Sequence, residues 1–159
     1  MFHTILLAAA LRHGEVPTAH ACAARDVATQ LAKGSWHPLY VLTVYTPQVP
    51  PLLQPPLLGP EAVPVSERIL RAEEGAVRVA VEAKLQAYIQ PLEHAGVSVV
   101  RLLRPGSPRE AVVRVAEEIG ADGLVIGAHG QRQVFALGGT ARAICRRARA
   151  VVVLASPGA

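Results

Sequence analysis

The chain has 159 residues, of which 51% are hydrophobic, 18% charged and only 4% aromatic, and its formal net charge at pH 7 is +4. This composition excludes intrinsic disorder, which requires low hydrophobicity and high net charge, and the length predicts one domain over residues 1–159 with a real core. The apolar residues are mostly Ala, Val and Leu, a choice that suits helices packed closely on a buried sheet.

Two stretches are apolar enough to be tested as membrane or export segments. Residues 35–60 lack Asp, Glu, Lys and Arg but contain seven prolines, which exclude a continuous spanning helix. The run from Ile5 to Leu11 is marginal for a signal peptide, and no Lys or Arg precedes it. Cys22 and Cys145 form no CxxC pair, so we expect free thiols, no metal site and a cytoplasmic protein without membrane attachment.

The first part of the chain alternates a short apolar run with an amphipathic segment. Residues 5–10 predict a buried strand. A helix is predicted to begin near Pro17, because apolar residues then recur every three or four positions up to a stop at Gly34. Residues 39–45 predict the second strand.

A proline-rich stretch follows the second strand. Seven of the 13 prolines lie within residues 47–64, so this stretch is predicted to be a surface loop. Three roles remain open for it: a lid over a cleft, a docking segment for a partner, or an insertion without fixed structure. A long helix is then predicted from about Ser66 to His94, weakened by Gly75 and kinked or ended by Pro91.

The third strand is predicted at residues 97–103. Ser107-Pro108-Arg109-Glu110 then predicts a capping box, in which a hydroxyl and a carboxylate at the start of a helix bind each other's backbone N–H groups. Proline suits the first helical position, and the apolar stripe of this helix continues to Gly120.

The last part of the chain completes the pattern with strands at residues 124–128 and 151–155 and a helix that begins near Thr140. Short apolar runs separated by amphipathic segments are typical of a parallel sheet covered on both faces. We therefore predict an α/β fold, one doubly wound domain whose five-stranded parallel sheet has the order 3-2-1-4-5.

Glycines cluster where such a sheet binds ligands, beyond the carboxyl ends of its strands. Gly127-Ala128-His129-Gly130 follows the fourth strand, and Gly138-Gly139-Thr140 begins the next helix. Glycines let the backbone approach a ligand, and a helix N-terminus offers free N–H groups to phosphate. The pattern indicates a nucleotide phosphate site, with turns that need glycine for their own geometry as the alternative. Neither a P-loop nor an early GxGxxG is present.

The sequence resembles the universal stress protein family over nearly its whole length. The resemblance rests on the following residues: Ile5-Leu6-Leu7, Leu42-Thr43-Val44, Gly106-Ser107-Pro108, residues 121–130 and Gly139-Thr140. The resemblance implies a five-stranded α/β fold, a homodimer formed through the last strand, and a binding or regulatory module in the stress response. The family divides into members that bind ATP and members that do not.

The resemblance also implies a set of site residues for ATP, with Mg²⁺, or for another adenine nucleotide. Val44 and Ile126 would line the adenine side, and the remaining residues would approach the ribose and the phosphates: Gly127, His129, Gly130, Gly139 and Thr140. From their positions beside the glycine loop, Arg132 and Arg142 are further candidates for phosphate contact.

Two departures from the family pattern weaken the expectation of ATP. Eight residues separate Gly130 from Gly139, where ATP-binding relatives have nine, and Ala10 stands where they have an Asp that faces the adenosine. Loss of one hydrogen bond to a charged group weakens binding by about 10- to 150-fold. The alternative hypothesis is therefore a protein of the same fold that has lost nucleotide binding and acts through dimerisation and protein partners.

The basic charge is local. Residues 129–159 contain five arginines and no acidic residue, and Arg142, Arg146 and Arg149 are spaced to share one helix face. Without aromatic residues among them this face is expected to be solvated, and nucleic acid is not an expected partner. No catalytic constellation is legible, so we assign no catalytic residue and expect at most slow ATP hydrolysis.

Overall fold

The computed structural model describes residues 1–11, 16–46, 63–128 and 138–158, with the backbone alone for residues 63–70. Strands and helices alternate within these ranges. In chain order they are β1 (Ile5–Ala8), α1 (Ala19–Ala32), β2 (Leu39–Tyr45), α2 (Val63–His94), β3 (Val99–Pro105), α3 (Pro108–Glu118), β4 (Gly123–Gly127), α4 (Gly139–Arg147) and β5 (Val151–Ala155).

The five strands form one parallel sheet in the order β3-β2-β1-β4-β5, which confirms the predicted fold class. β1 lies at the centre, where Ile5 pairs with Leu39 of β2 on one side and with Gly123 of β4 on the other. Alternate residues of β1 point to opposite faces, so Leu7 packs in the core under α1 and α2 while Leu6 packs in the core under α3 and α4.

Small residues bring α1 close to the sheet. The side chain of Thr18 accepts a hydrogen bond from the Ala21 backbone N–H at 3.2 Å and so caps the helix one residue after Pro17, close to the predicted start. The buried residues of α1 are all alanines: Ala21, Ala24, Ala28 and Ala32.

The helix α2 begins earlier than predicted and continues through Pro91. Its start at Val63 places Pro64 in the first turn, where the missing N–H group costs nothing, so the predicted loop is shorter at this end. Residues 47–62 of that loop lie outside the described residues. The helix ends before Gly96, which has a φ of 80°.

Val97 was predicted to begin the third strand, but it belongs to the turn that closes α2. Its backbone N–H donates to the Leu92 carbonyl at 3.1 Å and its side chain is buried, so β3 begins only at Val99. In the sequence, an apolar residue that packs against the end of a helix cannot be distinguished from the first apolar residue of a buried strand.

The predicted capping box of α3 is wrong in its hydrogen bonds. Ser107 occupies the N-cap position and Pro108 the first position of the helix, but the Ser107 side chain makes no capping hydrogen bond. Because Ser107 and Glu110 are both exposed, water can satisfy the first N–H groups of α3. The carbonyl of Ser107 still accepts the Ala111 N–H at 2.9 Å.

Asp122 joins three strands at the amino end of the sheet. Its carboxylate accepts hydrogen bonds from the backbone N–H groups of His3 (2.8 Å) and Thr4 (2.9 Å), and its carbonyl accepts from Val151 (3.0 Å). The hydrogen bond from His3, with that from Thr4, lowers the pKa of the Asp122 carboxyl. Hydrogen bonds of Asp122 therefore connect the strands at the amino end of the sheet, whereas a cavity opens at the carboxyl end.

Thr43, in the middle of β2, carries a fully buried hydroxyl that has no hydrogen-bond partner among the described residues. We expect Thr43→Val to raise the free energy of unfolding by about 1 kcal/mol, because valine has nearly the same shape and no polar atom to desolvate. Urea unfolding measures the change.

Thr29→Val is the matched control for this substitution, since the Thr29 hydroxyl donates to the Arg25 carbonyl at 2.7 Å. It is expected to leave stability unchanged or lower it. Equal effects of the two substitutions would show that the buried hydroxyl of Thr43 carries no penalty.

Candidate functional site

A cavity of about 520 Å³ opens at the carboxyl ends of β1, β2 and β4. Its walls come from the ends of these strands, from the first turns of α1 and α4, and from the start of α3. The apolar surface is provided by Ala8, Leu42, Val44, Val112, Ile126 and Ile144. A volume of this size is typical of small-molecule sites, and this end of a doubly wound sheet is where such sites form.

Five of the residues predicted for the site line this cavity together. They come from three separate elements and are Val44, Ile126, Gly127, Gly139 and Thr140. His129, Gly130 and Arg132 lie outside the described residues. Arg142 is exposed on α4 and is not part of the cavity lining.

Gly127 has a packing role that the sequence pattern did not separate from a ligand role. A Cβ atom at this position would lie 2.9 Å from the backbone oxygen of His20 and 3.3 Å from the His20 Cβ. The first turn of α1 therefore rests directly on the end of β4. Only glycine permits this approach without moving the backbone, whether or not a ligand is present.

The cavity has a positive electrostatic character. The first turns of α1 and α4 both face it, and neither contains an acidic residue. Helix N-termini carry a partial positive charge and free N–H groups. His20 is the only titratable side chain among the described lining residues, which include no carboxylate. The arrangement therefore favours an anionic ligand that also has an apolar part.

The described lining does not fit a protein-bound Mg²⁺ ion. Mg²⁺ is bound in proteins through carboxylates and phosphates, and no carboxylate is among the described lining residues. Across the described residues, no three His, Cys, Asp or Glu side chains come together in a group that could hold a metal ion.

Sequence reasoning missed four polar residues at or beside this cavity. Thr18, His20 and Thr46 line it. Arg109 is not part of the lining but approaches the lining residue Gly139, where a Cβ atom would lie 3.1 Å from the Arg109 Nη2. The available signal was their order in the chain, since each lies shortly after a predicted strand and therefore at the carboxyl end of a parallel sheet.

The basic segment is arranged differently from the prediction. The helix α4 ends at Arg147, so Arg149 lies beyond it and pairs with Glu117 of α3 at 3.9 Å instead of sharing a helix face with Arg142 and Arg146. Cys145 is exposed.

No helix in the described ranges is both long and apolar enough to cross a membrane.

The fold is that of a doubly wound α/β protein with a cavity at the carboxyl edge of its parallel sheet. The sequence matches the universal stress protein family over residues 1–155, and the chain belongs to this family. No curated protein matches the sequence significantly.

Solved structures with the same fold are distant in sequence. The hypothetical protein MJ0577 has a TM-score of 0.75 at 17% identity, with 100% of this chain and 99% of that one covered. A universal stress protein in complex with cAMP has a TM-score of 0.64 at 21% identity, with 99% of this chain and 98% of that one covered. A family protein from Arabidopsis thaliana with AMP bound has a TM-score of 0.64 at 15% identity, with 98% of this chain and 92% of that one covered.

Proposed function

We propose that this chain binds an adenine nucleotide in the cavity at the carboxyl ends of β1, β2 and β4, and that it acts as a regulatory module without efficient turnover. The observation that carries the proposal is the cavity itself, which combines apolar walls with two helix N-termini and lacks carboxylates in its described lining. Such walls suit a base, and such helix ends suit a phosphate. The relatives with cAMP and AMP bound support the choice of an adenine nucleotide.

The proposed contacts combine residues of the described lining with further residues that the family resemblance and the sequence suggest. Val44 and Ile126 contact the base, Gly127, His129 and Gly130 approach the ribose and phosphate, and Gly139 and Thr140 donate N–H groups to the phosphate. Arg132 and Arg142 are proposed as outer phosphate contacts. ATP is within this ligand class, and any Mg²⁺ that accompanies it is held by its phosphate oxygens.

A second candidate function has its own support. Ala8, Ala9 and Ala10 line the cavity without a polar side chain. The edge strand β5 also exposes apolar residues, with Val151 59% and Leu154 39% accessible. An exposed apolar edge strand favours pairing with another chain. In this alternative the protein has lost nucleotide binding and acts through a homodimer formed by β5 and through protein partners.

A variant that fills the cavity tests the first proposal. Ala10 is exposed and lines the cavity, so Ala10→Trp places an indole there without disturbing the core. We expect isothermal titration calorimetry to show AMP binding to the wild-type protein and at least about tenfold weaker binding to this variant. The physical reason is steric exclusion of the ligand by the larger side chain.

Ala95→Trp is the matched control, because Ala95 is an exposed alanine after α2, at the opposite end of the sheet. It should bind AMP as the wild type does. Absence of binding of AMP, cAMP and ATP to the wild type at millimolar concentration would favour the second candidate. Binding that is unaffected by Ala10→Trp would place the ligand elsewhere.

A further inference from the structure

Arg109 lies beside the cavity, close to one of its lining residues, although it is not part of the lining itself. It is the second residue of α3, and its Nη2 lies 3.1 Å from where a Cβ of Gly139 would be, against the first turn of α4. Gly139 itself lines the cavity. The guanidinium therefore reaches across from one helix to the N-terminus of another, next to the space that the ligand would fill.

The described residues contain no hydrogen-bond or ion-pair partner for Arg109. Glu110 is its neighbour in the chain, but adjacent residues of a helix do not face each other. The first turn of α4 has no acidic residue, and no Asp or Glu follows Asp122 in the sequence. An exposed guanidinium next to the positive end of a helix is weakly repelled by it, and an anion between them interacts favourably with both.

We propose that Arg109 binds the phosphate group of the ligand and that this contact makes nucleotide binding independent of a divalent metal ion. The inference rests on the proposed function, and it narrows the ligand class to a nucleoside monophosphate. Guanidinium groups bind phosphate through two parallel hydrogen bonds, and the free N–H groups of α4 complete the set of donors. Arg109 then supplies the positive charge that faces the phosphate. A metal ion held by protein carboxylates is therefore not needed for this purpose.

Arg109→Gln removes the charge from this position, and Arg114→Gln removes the same charge from another exposed position of α3 that does not line the cavity. Ligand-observed NMR, which reaches millimolar dissociation constants, compares AMP with adenosine for both variants and the wild type. We expect Arg109→Gln to weaken AMP binding by about 10- to 150-fold and to leave adenosine binding unchanged. Arg114→Gln should change neither.

Three further measurements complete the test. Arg109→Lys retains the positive charge but lacks the planar guanidinium that donates two parallel hydrogen bonds. Its affinity for AMP is expected to lie between those of the wild type and Arg109→Gln. Wild-type affinity for AMP should be the same in EDTA as in Mg²⁺. Thermal unfolding of each variant verifies that the exposed substitutions leave the fold intact.

The outcomes separate this inference from the proposed function. If the wild type binds AMP but Arg109→Gln binds it equally well, or weakens AMP and adenosine alike, the role of Arg109 is overturned and the nucleotide site stands. Loss of AMP binding in EDTA overturns the metal-independent part. If the wild type binds neither AMP nor adenosine, the proposed function fails and this inference fails with it.

Discussion

Gly127→Ala is expected to lower the free energy of unfolding by about 1–3 kcal/mol, the usual cost of inserting a methyl group where no space exists. The added Cβ would lie 2.9 Å from the His20 backbone oxygen. A flexible side chain could move aside at little cost, but here the first turn of α1 must shift away from β4. Urea unfolding followed by circular dichroism measures the change, and the same variant should also bind AMP more weakly because the cavity wall moves.

Gly75→Ala provides the matched control. Gly75 lies exposed inside α2, and a Cβ there would have no atom within 4 Å. Alanine is the better helix former, so this variant should gain about 0.5–1 kcal/mol. The same chemical change thus has opposite expected signs at the two positions. Unchanged stability of Gly127→Ala together with lost AMP binding would assign Gly127 to the ligand alone.

Tyr88→Ala is expected to have a still larger effect, with a loss of about 3–5 kcal/mol in the free energy of unfolding. The ring is 1% exposed in the core between the sheet and its two covering helices, and its hydroxyl donates to the Ala21 carbonyl at 2.6 Å. Arg25 covers the ring, with the guanidinium carbon 5.3 Å from its centroid. The side chain therefore joins α2 to α1. Val79→Ala, at a 67% exposed position of the same helix, should change stability by less than about 0.5 kcal/mol.

Tyr88→Phe isolates the hydroxyl and predicts a pH dependence. Burial raises the pKa of the Tyr88 hydroxyl above its ordinary value, although the positive charge of Arg25 opposes this. The folded protein thus holds this proton more tightly than the unfolded chain, and the stability gained is present below pH 10 and lost as pH rises above about 10. The phenylalanine variant should lose about 0.5–1.5 kcal/mol at pH 7 and be less sensitive to alkali. Equal sensitivity in both proteins would contradict this account.

The fold could be predicted from the sequence because its main signal is the alternation of apolar runs with amphipathic segments. Leu39–Tyr45 and Val151–Ala155 were predicted to the residue, since the strands of a parallel sheet are continuous apolar runs bounded by polar turns. Pattern alone could not distinguish Val97 as the residue that closes α2 from the first residue of a strand. It also could not show that the Ser107 side chain makes no capping hydrogen bond, since that depends on competition with water.

The cavity was only partly predictable. Gly127, Gly139 and Thr140 were found because glycine and threonine at a strand end and a helix start have a recognisable local pattern. Arg109 and His20 had no such pattern, because their places at the cavity depend on how α3 and α1 pack against other elements. Pairings between distant segments leave no local sequence pattern, so the only available signal was the position of these residues after predicted strands.

The central place of β1 also sets an order of events during synthesis. Its two neighbours are β2, which follows soon after it, and β4, whose residue Gly123 pairs with Ile5. Until the ribosome has released residue 127, one edge of β1 has no partner and exposes unpaired N–H and carbonyl groups in the middle of the future sheet. Asp122, which holds the amino end of β1, emerges only at that same late stage. We therefore expect a growing chain of this protein to keep an unpaired edge of β1 exposed to aggregation until its fourth strand appears.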